Sequence, residues 1–198
     1  MMERRGEVTR RTTETDIKLS LTLEGTGEAN VATGCGFLDH MLGLMARHGR
    51  FDLSLTCRGD MDVDDHHTVE DCGIALGQAF ARALGDGRGI VRYGSFLLPM
   101  DEALVLVAVD ISGRCHLSYD LRPPQQSIGG FNTESAREFF MGLCRSLGLT
   151  LHLRQIAGEN AHHILEAAFK GLGRALSLAV AADARGPDQI PSTKGFLL

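Results

Sequence analysis

The chain has no excess of basic residues, no long apolar run, no C-x-x-C spacing and no low-complexity segment. Each absence removes a class of function. Lys and Arg number 20 against 25 Asp and Glu, a formal net charge of −5, so no global field draws nucleic acid or an anionic membrane. The longest strongly apolar run, ALVLVAV at 103–109, is far too short to span a bilayer. The N-terminal stretch MMERRGEVTRR lacks the apolar core of a secretory signal, which predicts a cytoplasmic protein. The five cysteines (Cys35, Cys57, Cys72, Cys115 and Cys144) are odd in number and mostly sit in apolar patterns. They read as reduced core thiols, not as a disulfide framework or a thiolate zinc site.

What is present is ordinary in amount and unusual in arrangement. With 43% hydrophobic and 23% charged residues, 198 residues are enough to bury a sizeable core. The triad His-His-x-x-Glu occurs twice, in DDHHTVED at 64–71 and in NAHHILEA at 160–167. The surrounding chain repeats with it. At an offset of 98, HMLGLMARHGRFDLSL (40–55) falls on EFFMGLCRSLGLTLHL (138–153), and Arg47 meets Arg145. The same offset places IKLSLTL (17–23) on CHLSYDL (115–121). Beyond these the offset becomes 96, so that His66, His67 and Glu70 meet His162, His163 and Glu166.

Each unit therefore reads as strands, helix, strand, helix. The second helix of each has an apolar stripe: Val69, Cys72, Leu76, Phe80 and Leu84, then Leu165, Ala168, Leu172, Leu176 and Val180. GDGRG at 85–89 marks the boundary, giving halves at 1–87 and 88–198. The second half reads as adding a strand pair that turns near Pro99–Glu102. Its tail, 186–198, carries two prolines and is expected to extend beyond the last helix. The expected fold is α+β: two sheets packed against helices, with pseudo-twofold symmetry.

Each motif is expected to open a helix, where residues three and four apart share a face. Glu70 then sits beside His66 or His67, and Glu166 beside His162 or His163. Adjacent histidines diverge by about 100°, so one pair can serve two different metals. Nitrogen and carboxylate donors suit Mn, Fe, Zn, Ni or Co better than Mg or Ca. A single such motif is commonly a solvated helix start; two in equivalent positions point to metal sites. His40 lies on a predicted helix, and its repeat partner is Glu138, also a ligand type. His48, before Gly49, reads as a structural histidine at a helix end, and His116 and His152 as strand packing or surface residues.

The segments GCGFLDHML, DDHHTVED and GENAHHILEAAFK, with TTETDI and PSTKGFL near the ends, resemble the imidazoleglycerol-phosphate dehydratase family over nearly the whole chain. The resemblance implies a lyase of histidine biosynthesis that dehydrates D-erythro-imidazole glycerol phosphate to imidazole acetol phosphate. It implies two halves of the ribosomal protein S5 domain 2-like type and two Mn²⁺ per subunit, with other divalent transition metals as substitutes. Trimers assembling to a 24-mer, with metal sites between subunits, are implied as well. The expected chemistry is Lewis-acid activation of the substrate's imidazole, through a metal-bound imidazolate and a diazafulvene-like intermediate. The ligands implied are His40, His66, His67, Glu70, His162, His163 and Glu166. Glu138, in REFF, stands where the family usually has histidine. Glu14 and Glu166 are the catalytic candidates. Arg92, Arg114, Lys170, Ser192 and Lys194, with Glu14, match substrate and phosphate contacts. The rival readings are a dinuclear phosphoesterase, a metal-stabilised assembly protein without catalysis, and, by fold analogy alone, RNA binding.

Overall fold

The computed structural model describes residues 4–197; Met1–Glu3 and Leu198, the outer ends of the two expected halves, lie outside the described residues. The first half runs β1 (Arg5–Arg11), β2 (Thr15–Thr22), β3 (Ala29–Ala32), α1 (Gly36–Gly49), β4 (Asp52–Gly59) and α2 (His66–Leu84). The second runs β5 (Tyr93–Met100), β6 (Ala103–Ile111), β7 (His116–Asp120), a small hairpin of β8 (Ser127–Ile128) and β9 (Phe131–Asn132), then α3 (Ser135–Leu147), β10 (Leu149–Ala157) and α4 (Ala161–Val180).

The two four-stranded sheets have one topology. Their orders are β1-β2-β4-β3 and β5-β6-β10-β7. In each, the second strand pairs antiparallel with the fourth, and the third lies parallel to it. This corrects two readings of the sequence. Ile17–Leu23 does not correspond to Cys115–Leu121, because the former lies on β2, the counterpart of β6, and the latter carries β7, the counterpart of β3. The Pro99–Glu102 turn is real, but its strand pair is no addition, since β1 and β2 form the same hairpin in the first half. What the second half adds is the β8–β9 hairpin between β7 and α3.

Alternation explains the layering. Along β2, Ile17, Leu19 and Leu21 are buried while Lys18 is exposed; along β6, Val105, Val107, Val109 and Ile111 are buried. Each sheet turns its apolar face to the helices of its own half, α2 against β1 and β2, α4 against β5 and β6. The helical layers then meet crosswise, α2 on α3 and α1 on α4. All five stripe positions of α2 and all five of α4 are buried. Two glycines set the helix spacing. A Cβ on Gly77 would lie 2.7 Å from the Leu143 carbonyl, and one on Gly173 2.3 Å from the Met45 carbonyl. Gly77 and Gly173 are repeat partners, as are Met45 and Leu143, so the two contacts are equivalents exchanged by the pseudo-twofold symmetry.

Four of the five cysteines are buried and free; Cys115 is free and exposed. The tail is ordered against the boundary between the halves: Gly89 N donates to Gln189 O, Asp183 N donates to Gly89 O, and Leu197 is buried. Among the described residues, no helix is long and apolar enough to cross a membrane.

Candidate metal and substrate site

Both histidine pairs sit in the first turn of a helix, and at each start a side chain just before the pair accepts a backbone N–H. Asp64 Oδ1 accepts from His66 N at 2.9 Å. Its repeat partner Asn160 accepts from His162 N at 2.9 Å and His163 N at 3.4 Å. These side chains satisfy backbone donors that have no partner inside the helix. The inserted segment then grips both starts. Buried Asp65 accepts from Asn132 N (2.7 Å), Asn132 Nδ2 (2.8 Å) and Ser135 Oγ (3.0 Å). Gln125 Oε1 accepts from Ala161 N at 3.0 Å.

His40 on α1 joins His162 and Glu166 on α4: one donor atom from each lies within 4.8 Å of the others. His162 Nε2 is 3.1 Å from Glu166 Oε2, and His40 Nε2 is 4.0 Å from the same oxygen. Phe37 packs against His162 edge to face at a centroid separation of 5.3 Å. Lys170 pairs with the other oxygen of Glu166. Burial alone raises the Glu166 carboxyl, but Lys170 and then His162 outweigh it, so the group is held below its ordinary range. Two imidazoles and one ionised carboxylate form a donor set that fits a borderline transition-metal ion.

The counterpart cluster is not assembled. Glu138 pairs with Arg137 at 3.1 Å, and Glu70 faces Arg145 at 3.7 Å instead of a motif histidine. His66 stands edge to face with His67 at 5.9 Å. Each of these carboxylates is paired with a nearby guanidinium.

The second histidine of each pair leaves its own cluster. His67 Nδ1 is 2.9 Å from Asp60 Oδ2, and its Nε2 is 3.7 Å from Glu14 Oε1. His163 Nδ1 is 2.7 Å from Glu102 Oε2, and its Nε2 is 3.7 Å from Asp101 Oδ2. The hydrogen bond to Asp60 raises the His67 pKa, and that to Glu102 raises the His163 pKa. In return His163, with the Asn160 and Glu159 N–H groups, lowers the Glu102 carboxyl to about 2. Glu102, Asp60 and Asp101 were not among the residues expected from the sequence. One signal does find Glu102: at an offset of 88, ETDIKLSLTL (14–23) falls on EALVLVAVDI (102–111), and Glu14 meets Glu102. Glu102, Gln125, Ser127, Glu159, His162 and His163 line an open cleft of about 550 Å³.

The expected phosphate contacts are divided within the chain. Lys170 belongs to the Glu166 cluster. Arg92, in the left-handed region at φ 78°, is held by Asp110 (2.7 and 3.1 Å) and reaches the Pro191 carbonyl at 2.7 Å. This brings it beside Ser192 and Lys194 on the tail, where Ser192 Oγ accepts from Lys194 N at 3.2 Å. Arg114 reaches back to the Ser112 carbonyl at 3.4 Å. His48 does end α1, but it also lines a cationic cleft with Arg47, Arg50 and Arg174, and burial followed by Lys170 and Arg174 lowers its pKa. His116 and His152 are exposed, their rings 5.6 Å apart on neighbouring strands.

Fold and site together define a duplicated α+β protein whose repeated helix starts carry histidine and glutamate at ligand spacing. The family model for imidazoleglycerol-phosphate dehydratase matches residues 33–176. Imidazoleglycerol-phosphate dehydratase of Cereibacter sphaeroides is 56% identical over 194 residues, covering 98% of this chain and all of the relative. That of Dinoroseobacter shibae is 57% identical over the same span. The crystal structure of the Staphylococcus aureus enzyme superposes with a TM-score of 0.81 at 38% identity, over 90% of this chain and 99% of that one. The Pyrococcus furiosus structure also gives 0.81, at 40% identity over 96% and 100%. The chain belongs to the imidazoleglycerol-phosphate dehydratase family and is a hydro-lyase.

Proposed function

We propose that this chain removes water from imidazole glycerol phosphate to give imidazole acetol phosphate, a step of histidine biosynthesis, with two Mn²⁺ ions per subunit. The observation that carries the reading is the convergence of His40, His162 and Glu166 in a member of this family. One ion is held by these three residues, and the other by their repeat partners Glu138, His66 and Glu70. His67 and His163 diverge from their own clusters and complete sites on neighbouring subunits, in trimers that assemble to a 24-mer. Soluble, cytoplasmic enzyme is the state in which this assembly works.

The carbon that loses hydrogen in this substrate is activated by no carbonyl, so the imidazole ring must accept the electrons. Bound divalent ions supply Lewis acidity to the ring nitrogens. The chain supplies proton transfer and grip. Glu14, beside His67, takes a proton from carbon or returns one to the leaving hydroxyl at its carboxylate oxygen. Glu166 holds its ion and keeps Lys170 at the site. Arg92, Arg114, Lys170, Ser192 and Lys194 bind the phosphate; Arg92 is already beside Ser192 and Lys194 within one chain, and Lys170, which belongs to the Glu166 cluster, comes from another subunit.

Stripping the protein with chelator and assaying dehydration of imidazole glycerol phosphate tests this. Turnover is lost on stripping and returns with Mn²⁺. Full turnover by metal-free protein contradicts the metal reading, and no turnover in any metal state contradicts the assigned substrate. A phosphoesterase would instead release inorganic phosphate, and a metal-stabilised scaffold would do neither.

A further inference from the structure

We propose that Asp60 and Glu102 are positioning residues: each holds Nδ1 of the second motif histidine, so that Nε2 of His67 and of His163 is presented outward as a ligand. The inference rests on the metal reading above. Glu102 is rigidly placed for this role. Its Oε1 accepts from Glu159 N (3.2 Å) and Asn160 N (2.9 Å), and its Oε2 faces His163 Nδ1 at 2.7 Å. The carboxylate therefore ties the β5–β6 turn to the start of α4 and to the imidazole at once. Asp60, in the loop leaving β4, faces His67 Nδ1 at 2.9 Å.

These two carboxylates are not repeat partners. Glu102 corresponds to Glu14, which lies at the other nitrogen of His67. At Asp60 the repeat offsets lead to Ile156 or Gly158, neither of which is acidic. Inheritance from a duplicated ancestor thus does not account for the shared contact. Two unrelated backbone positions deliver the same oxygen to the same ring atom. A carboxylate on Nδ1 fixes the proton there, leaves the Nε2 lone pair free and makes it a better donor. In both halves Nε2 then points at a further carboxylate, Glu14 or Asp101, at 3.7 Å.

The test is Mn²⁺ binding to the stripped, assembled protein, followed by equilibrium dialysis with metal analysis. Glu102→Ala is expected to weaken one of the two ions per chain about ten- to a hundredfold and leave the other unchanged. Asp60→Ala does the same to the opposite ion, and the double variant weakens both. Glu102→Gln and Asp60→Asn, which keep side-chain size and an acceptor oxygen, fall between variant and wild type. They also serve if an alanine variant does not fold. Histidine ¹⁵N shifts of the stripped protein give a readout without metal: the Nδ1–H form of His163 is depleted in Glu102→Ala. Wild-type affinity for both ions in both alanine variants overturns the positioning role while leaving the metal reading intact. Equal weakening of both ions by each single variant also overturns it, because that pattern is general loosening. Wild-type protein that binds no Mn²⁺ overturns the metal reading itself, and this inference with it.

Discussion

Glu14 and Glu102 occupy the same place in the two halves, each the last residue of a hairpin turn, and each beside the second histidine of its half's motif. Their roles have diverged. Glu102 is tied to two backbone N–H groups and to an imidazole nitrogen. Glu14 Oε1 stands 3.7 Å from His67 Nε2, outside hydrogen-bond range. A free carboxylate is the one able to exchange protons with a substrate. Glu14→Gln is expected to lower kcat by about a hundred- to ten-thousandfold, the range typical of general acid–base groups. Metal content stays at the wild-type level. Unchanged kcat would remove Glu14 from proton transfer.

The proposed phosphate contacts give a second expectation. On that assignment Arg92→Ala, Arg114→Ala and Lys194→Ala each remove one charge-assisted bond, worth about 1.5–3 kcal/mol. Steady-state kinetics should show kcat/KM reduced roughly ten- to a hundredfold, with both ions still bound. Normal kinetics in all three variants would place the phosphate elsewhere.

Glu138 stands where the resemblance implies a histidine ligand. Glutamate reaches slightly farther and offers oxygen, which Mn²⁺ accepts, but its charge makes the ion a weaker Lewis acid. Glu138→His is expected to retain two metals per subunit and to keep or raise activity. Glu138→Ala should bind its ion more weakly. Metal analysis and kinetics decide between them; full metal and full activity in Glu138→Ala would show that Glu138 is not a ligand.

A pH effect follows from Asp52. Its Oδ1 accepts from Thr26 N, Gly27 N and Glu28 N at 2.8–3.0 Å. Slight burial raises the carboxyl, and these three donors outweigh it, so its folded pKa lies below the unfolded value. The stabilisation is therefore present above the unfolded pKa and lost as pH falls through the folded one. The site is solvated, which keeps the effect near 1 kcal/mol, roughly 2–4 °C in Tm for a chain of this size. Thermal melts should show Asp52→Ala less stable than wild type at neutral pH, with the gap closing in acid. A gap independent of pH would point to packing instead.

Much of this was legible in the sequence because it is local. The stripes of α2 and α4 have helical period, and two His-His-x-x-Glu motifs at matched positions are conspicuous without a fold. Strand equivalence was not legible in the same way. A period of two looks alike in every half-buried strand, so Ile17–Leu23 matched Cys115–Leu121 as well as its true counterpart on β6. The inserted β8–β9 segment hid the change of offset from 88 to 98. Asp60 was missed because a carboxylate in a turn looks like any solvated charge, and Glu102 because the offset of 88 that pairs it with Glu14 went unseen. Its contact with His163 comes from the tertiary placement of β5, β6 and α4.

The most direct test of the account is the position of the ions. Crystals of the active protein grown with Mn²⁺, measured at the manganese absorption edge, should show two anomalous peaks per chain. One is bonded to His40, His162 and Glu166; the other to Glu138, His66 and Glu70; and His67 and His163 approach from neighbouring subunits. Protein that dehydrates the substrate with no peak at the His40–His162–Glu166 cluster would contradict the account.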